Sequence, residues 1–278
     1  MSVLRAPTAG METEHETRKS RGGALAAGDG AYFFWRVIRG VFTGRVGAYW
    51  VEVMRQSRLL VSSSMLVILG MVLALGLVVG VEASYGARLV GAPAAAGAFT
   101  AIGNLREIVP YAFAYMMAAK VSTGYAAEIG TMRITDEVDA LEVMGLDSLV
   151  YLSSTRLLGM WLVLPFVYAI AMVVAFAGSY VVVVNQIGQV SAGGYFELFW
   201  KFQSPSDYLF GAVKAGAMST FVVLSGCYFG YRIRSGGPVE VGRATAKAMI
   251  INLIGIHFIG IVGSELFWGG APRLPIGG

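Results

Sequence analysis

An all-α integral membrane protein is the fold class this sequence predicts, and three observations predict it. Of 278 residues, 56% are hydrophobic and only 14% charged, and the mean hydropathy is +0.66, more apolar than one soluble core requires. The apolar residues gather into runs close to the roughly 20 residues a helix needs to cross the hydrocarbon core. The basic residues flank those runs and form no dense patch, so the net charge of +4 reads as membrane topology and not as a nucleic-acid surface.

The elements follow in chain order. Met1 to Gly30 is polar, Gly/Ala-rich and mixed in charge, without the apolar core of a signal peptide, and is expected to be a disordered cytoplasmic tail. Over residues 31–57, Phe34, Ile38, Val41, Phe42, Tyr49 and Val53 recur at helical spacing with Arg36, Arg39, Arg45 and Arg55 interleaved, which predicts an amphipathic helix lying in the headgroup region. Five transmembrane helices follow, at about 59–80, 89–119, 157–184, 208–231 and 248–268. The first and third carry no charge, and the second is interrupted only by Arg106 and Glu107.

Lys and Arg ahead of the first span, and Arg232, Arg234, Arg243 and Lys247 between spans four and five, place the N-terminus in the cytoplasm. With five spans, the loop around Arg88, the loop from Asn185 to Asp207 and the tail Ala271 to Gly278 are then outside. The outer loop holds an aromatic stretch, Tyr195 to Phe202, which suits either an interfacial anchor or a docking surface for an extracytoplasmic partner. Cys227 lies in an apolar run and is the only cysteine, so it packs and forms no intrachain disulfide.

Between spans two and three, Thr135 is expected to cap a short cytoplasmic helix, Asp136 and Glu137 to sit at its positive end, and Gly145 to end it. Ile134, Val138, Leu141 and Met144 line one face; Asp136, Glu137, Asp139 and Glu142 fill the rest. Inside the spans, charges are costly and tend to mark function. Arg106 and Glu107 precede Pro110, which disturbs a regular helix. Neighbouring helix positions diverge, so each must find a partner elsewhere; Lys214, about 10 Å beyond Asp207 along its helix, is positioned to approach Glu107. The small residues of Ala92 to Gly103 permit close helix approach or a bent, partly re-entrant segment. No Gly-x-x-x-x-Gly-Lys-Ser/Thr loop is present to cradle nucleotide phosphates, and the two histidines, His15 and His257, form no metal-binding or triad pattern.

Three segments together resemble one family. Asn104-Leu-Arg-Glu-Ile-Val-Pro110, Ala127-Glu-Ile-Gly-Thr-Met-Arg133 and the Asp-Ala-Leu-Glu-Val-Met-Gly block ending at Gly145 resemble the MlaE/YrbE permeases of lipid ABC transporters, over about Arg36 to Trp268. Cys227-Tyr-Phe-Gly-Tyr231 and Gly236-Gly-Pro-Val-Glu-Val-Gly242 look like the B-type YrbE subunits of actinobacterial Mce lipid-import systems.

The resemblance implies an MlaE-like permease domain over 31–270 in the plasma membrane, paired with a second YrbE-type subunit. Two cytoplasmic ATPases would bind ATP and Mg²⁺, an extracytoplasmic Mce assembly would sit above, and fatty, mycolic or sterol lipids would be imported. The helix Thr135 to Gly145 would be the coupling helix, with Glu128, Arg133, Asp136, Glu137, Asp139, Leu141, Glu142 and Met144 at the ATPase. Arg106, Glu107, Lys214 and His257 would line the lipid path, His257 standing where better-known members carry an aspartate. Two other readings of the chain remain: a membrane scaffold that transports nothing, and a stand-alone secondary transporter, for which no inverted repeat is visible.

Overall fold

The computed structural model describes residues 28–233 and 236–270, among which every regular element is helical. The expected tails, Met1 to Ala27 and Ala271 to Gly278, and Arg234 in the basic loop lie outside the described residues.

Helix α1 covers 28–42 and buries Phe33 and Val37 while leaving Arg36 and Arg39 exposed. It ends where Gly44 adopts φ +73, a left-handed conformation that glycine reaches without a Cβ penalty. One 3₁₀ turn, Arg45–Tyr49, then leads into α2, Trp50–Leu89. The amphipathic helix expected over 31–57 is therefore shorter than its pattern suggested. Residues 50–57 continue straight into the first span, because an apolar stripe marks a face but not the glycine turn that redirects it. With 40 residues, α2 is about 60 Å long, roughly twice the hydrocarbon thickness.

Helix α3 runs over 96–134, with π-helical stretches at Gly103–Ile108 and Met117–Ser122. The expected second span started at Leu89, but Leu89 closes α2, and a turn through Gly91 at φ +69 separates the two helices. The first π stretch stops just short of Pro110, whose ring has no N–H to give the ladder.

A short helix, α4 (Glu137–Val143), precedes α5 (Val150–Gln186). Helix α6 (Ala192–Lys201) is capped by Ser191, whose Oγ accepts from the Gly194 N–H. Helices α7 (Pro205–Tyr231) and α8 (Gly237–Gly269) complete the chain.

Among the described residues, four helices are long and apolar enough to cross a membrane: Arg45–Leu89, Val150–Gln186, Pro205–Tyr231 and Gly237–Gly269. The protein is thus a multi-pass membrane protein. Helix α3 has the length of a span, but Arg106, Glu107 and Lys120 dilute its hydropathy. Its position explains how it tolerates them. Leu105, Val109, Phe113 and Met117 of α3 are almost completely buried among Ile68 and Val72 of α2, Leu157 of α5, Met218 and Val222 of α7 and Ile256 of α8. Leu66, Phe166, Val173 and Phe258 meanwhile point outward, as expected where lipid is the solvent.

Glycines set the closest approaches. A Cβ on Gly76 would lie 2.8 Å from the Ala175 Cα, and one on Gly226 would lie 2.9 Å from the Ser122 Cα. The α2–α5 and α3–α7 crossings are therefore packed backbone to backbone, as helix contacts in lipid commonly are.

Candidate functional site

Helices α3, α7 and α8 carry a polar cluster within their apolar packing. Glu107 and Lys214 meet at 2.6 Å, with the lysine side chain closed off and the glutamate 43% exposed. Lys214 Nζ also donates to the Arg106 carbonyl (3.0 Å) and to Ser264 Oγ (2.6 Å), and Ser264 donates to Glu107 Oε1 (2.6 Å). The ammonium stands 4.8 Å from the Tyr111 ring centre. All three of its protons have acceptors, which is what a cation needs in order to persist in a desolvated place.

Arg106 turns the other way, as divergent neighbours on a helix should. Its Nη2 lies 3.3 Å from Asp207, both side chains being nearly buried. Trp268 donates to Asp207 Oδ1 at 2.7 Å and Ser204 to Oδ2 at 3.0 Å. Asp207 stands in the first turn of α7, after Pro205, where the helix dipole favours an anion. The two ion pairs share a wall, because Trp268 faces both Arg106 and Lys214.

His257 is exposed on α8. Its Nε2 is 3.0 Å from the Tyr115 hydroxyl and its Nδ1 2.7 Å from the Leu253 carbonyl. Tyr111 links this ring to the ion pair, lying 6.0 Å from His257 and beneath Lys214. The four intramembrane residues singled out in the sequence therefore divide: Glu107 and His257 open onto one polar strip, Lys214 lies closed off beneath Glu107, and Arg106 turns away to pair with Asp207. Such a strip can hold a polar headgroup beside apolar chains.

The second candidate surface is the α3–α4–α5 turn. Thr135 does not cap α4. It ends α3, and its Oγ1 donates to Glu137 Oε1 at 2.8 Å. The capping position falls to Asp136 at φ +58, which an aspartate tolerates better than most residues. Gly145 does end the helix, at φ +79, with Leu146 N–H reaching back to the Leu141 carbonyl. Val138 is buried and Leu141 half-buried, whereas Val143 and Met144 are exposed at 88% and 67%.

Two clips hold α4. Arg133 donates to Asp139 at 2.8 Å and to the Tyr231 carbonyl at 3.1 Å, and its guanidinium lies 4.8 Å from the Tyr231 ring centre. Glu142 accepts from Ser148 at 2.6 Å and from the Tyr231 hydroxyl; the Ser148 hydrogen bond, more than any other contact, holds its carboxyl below the usual carboxylate range. Glu128 is placed apart from α4, paired at 2.8 Å with the buried Arg156 of α5. Tyr231 closes α7, so the α4 clip and the Lys214 pair stand on one helix, 17 residues and about 25 Å apart.

Sequence reasoning missed Asp207, Ser264, Trp268 and Tyr231. For Asp207 the sequence does carry a signal: Ser204-Pro-Ser-Asp207 is a cap, a first-turn proline and a first-turn acid.

Taken together, a bundle of apolar helices with two ion pairs set among them defines a multi-pass membrane protein. The family model for the permease MlaE matches residues 53–266, and the chain belongs to that family. It is 33% identical to a probable ABC transporter permease protein of Rickettsia bellii over 163 residues, 59% of this chain and 62% of that one. It is 28% identical to a probable ABC transporter permease protein of Synechocystis, over 65% of this chain and 70% of the other. Protein TRIGALACTOSYLDIACYLGLYCEROL 1 of Arabidopsis thaliana, a chloroplast protein, is 27% identical over 63% of this chain and 49% of its own. The match thus spans less than two thirds of the Rickettsia relative's length.

Proposed function

We propose that this chain is the membrane subunit of an ATP-driven lipid transporter and that its open polar strip is one wall of the lipid path. The observation that carries the reading is the Glu107–Lys214–Ser264 cluster: a carboxylate 43% exposed on a helix packed among spans needs a polar or wet surrounding, because hydrocarbon gives it no partner. A second YrbE-type subunit facing the strip would close it into a cavity. The Arabidopsis relative, named for a glycolipid, supports a lipid cargo. The actinobacterial B-type resemblance of 227–231 and 236–242 suggests import of fatty, mycolic or sterol lipids beneath an Mce assembly, with α6 offering Phe196 and Trp200 to that side.

In the same reading α3 is the fifth span, the N-terminus is cytoplasmic and the C-terminus extracytoplasmic. ATP and Mg²⁺ belong to two cytoplasmic ATPases, one of which receives α4. Exposed Val143 and Met144 supply apolar contact, and Asp136, Glu137 and Asp139 supply charge. The clips to Arg133 and Tyr231 make α4 a stiff lever onto α3 and α7, suited to a rigid-body push.

The test is lipid uptake by the reconstituted complex carrying Glu107→Gln or Lys214→Met. Transport lost while the subunits still co-purify is the expected result. Full transport in both variants removes the strip from the path, and loss of assembly favours the scaffold reading.

A further inference from the structure

A cavity of about 910 Å³ opens at the end of the bundle where α7 stops and α8 begins, well away from the Glu107–Lys214 strip. Its volume is in the range of sites that enclose a small molecule or a headgroup. Five cations line it, Arg36, Arg133, Arg232, Arg243 and Lys247, against two acids, Asp29 and Glu240. Some of that charge is committed: Arg243 pairs with Glu240 at 2.6 Å, and Arg133 with Asp139. Arg36 and Lys247, both exposed, make no ion pair among the described residues.

The rest of the wall is aromatic. Tyr32, Tyr228 and Tyr231 present amphipathic rings, the residue type that settles at the headgroup level, and Arg232 lies 5.7 Å from the Tyr228 ring centre. Just beyond, α8 exposes Val239, Ile250 and Ile254, a surface fit for acyl chains. A basic, aromatic-rimmed pocket between membrane helices, with apolar surface leading out of it, matches the chemistry of an anionic headgroup.

We propose that this cavity binds a phosphate-bearing anion and that it is filled by the headgroup of an anionic phospholipid, with Arg36 and Lys247 as its principal contacts. Arg133 and Tyr231 belong to both the cavity wall and the α4 clips, so a bound headgroup touches the residues that hold the loop helix. The site stands whether or not the polar strip is a lipid path.

The full chain in detergent, titrated with dioleoylphosphatidylglycerol and, separately, dioleoylphosphatidylcholine, and read by native mass spectrometry, tests this. Preference for the anionic lipid by about tenfold or more is expected, as is a similar loss in the double variant Arg36→Gln/Lys247→Gln. Arg36→Lys/Lys247→Arg should keep binding, as should Arg88→Gln, which alters a cation in the last turn of α2 outside the cavity. Both target residues are exposed, so the substitutions spare the core. Equal retention of the two lipids, or unchanged binding in the double glutamine variant, overturns the site. Displacement of the lipid by inorganic phosphate at comparable concentration overturns the lipid source in favour of a soluble phosphate.

Discussion

Lys214 Nζ lies 2.6 Å from Glu107 Oε2 with the lysine side chain closed off and the glutamate 43% exposed, so the two ends of this ion pair are not equivalent. Glu107→Gln leaves a closed-off ammonium with only neutral acceptors. Lys214→Met leaves a carboxylate that still accepts from Ser264 and reaches open space. Removing one partner of a buried pair costs about 3 kcal/mol or more. Thermal unfolding in lipid nanodiscs is therefore expected to rank wild type above Lys214→Met and both above Glu107→Gln, with the double variant recovering part of the glutamine variant's loss. A Glu107→Gln protein as stable as wild type would sink the assignment of Lys214 as a desolvated cation.

This pair was legible in the sequence because charge in an apolar run is conspicuous, and because Arg106 and Glu107, being adjacent, had to part company. Its surroundings were not. Ser264 and Trp268 lie some 50 residues beyond Lys214, and only the three-dimensional crossing of α8 against α7 brings them in. The break at Gly44 and the π stretches of α3 were hidden for a different reason: a hydrophobic stripe reports which face is apolar and says little about where the backbone turns or widens.

Close helix contact yields a second prediction. A methyl at Gly226 would meet Ser122 backbone at under 3 Å, whereas one at Gly70 on α2 meets nothing within 4 Å. Gly226→Ala is expected to cost about 1–3 kcal/mol by forcing α3 and α7 apart. Gly70→Ala is expected to be neutral or to gain up to about 1 kcal/mol from helix propensity. Urea or thermal unfolding of the two variants side by side checks the contrast, and equal effects would mean that the α3–α7 crossing is looser than described.

The α4 clip titrates. Glu142 has its carboxyl lowered, chiefly by the hydrogen bond from Ser148, so its contribution to holding α4 is complete above the ordinary carboxylate range and is lost as pH falls through the lowered folded value. Ser148→Ala should return the carboxyl toward its usual range and shift that loosening to higher pH. Hydrogen exchange of residues 137–143 across an acid series reads it directly. Identical profiles for the variant and wild type would remove Ser148 from the clip.

The last prediction concerns what α4 meets. Val143 and Met144 are 88% and 67% exposed, yet they sit at the end of a helix whose Val138 is buried and Leu141 half-buried, and which is tied to α3 through Arg133 and to α7 through Tyr231. A helix held this firmly does not need those two side chains for its own fold. Replacing them with charge should therefore leave the permease intact while spoiling an apolar contact with a partner, as desolvating an unpaired charge at an interface costs several kcal/mol. Val143→Glu/Met144→Glu is expected to keep the wild-type melting temperature and lipid binding of the isolated chain, and to lose co-purification of the ATPase along with transport. Arg133→Ala, by contrast, should weaken the clip and lower transport with the ATPase still bound, because the lever is loosened while its tip is unchanged. If both variants retain the ATPase and full transport, force enters the bundle elsewhere than through α4.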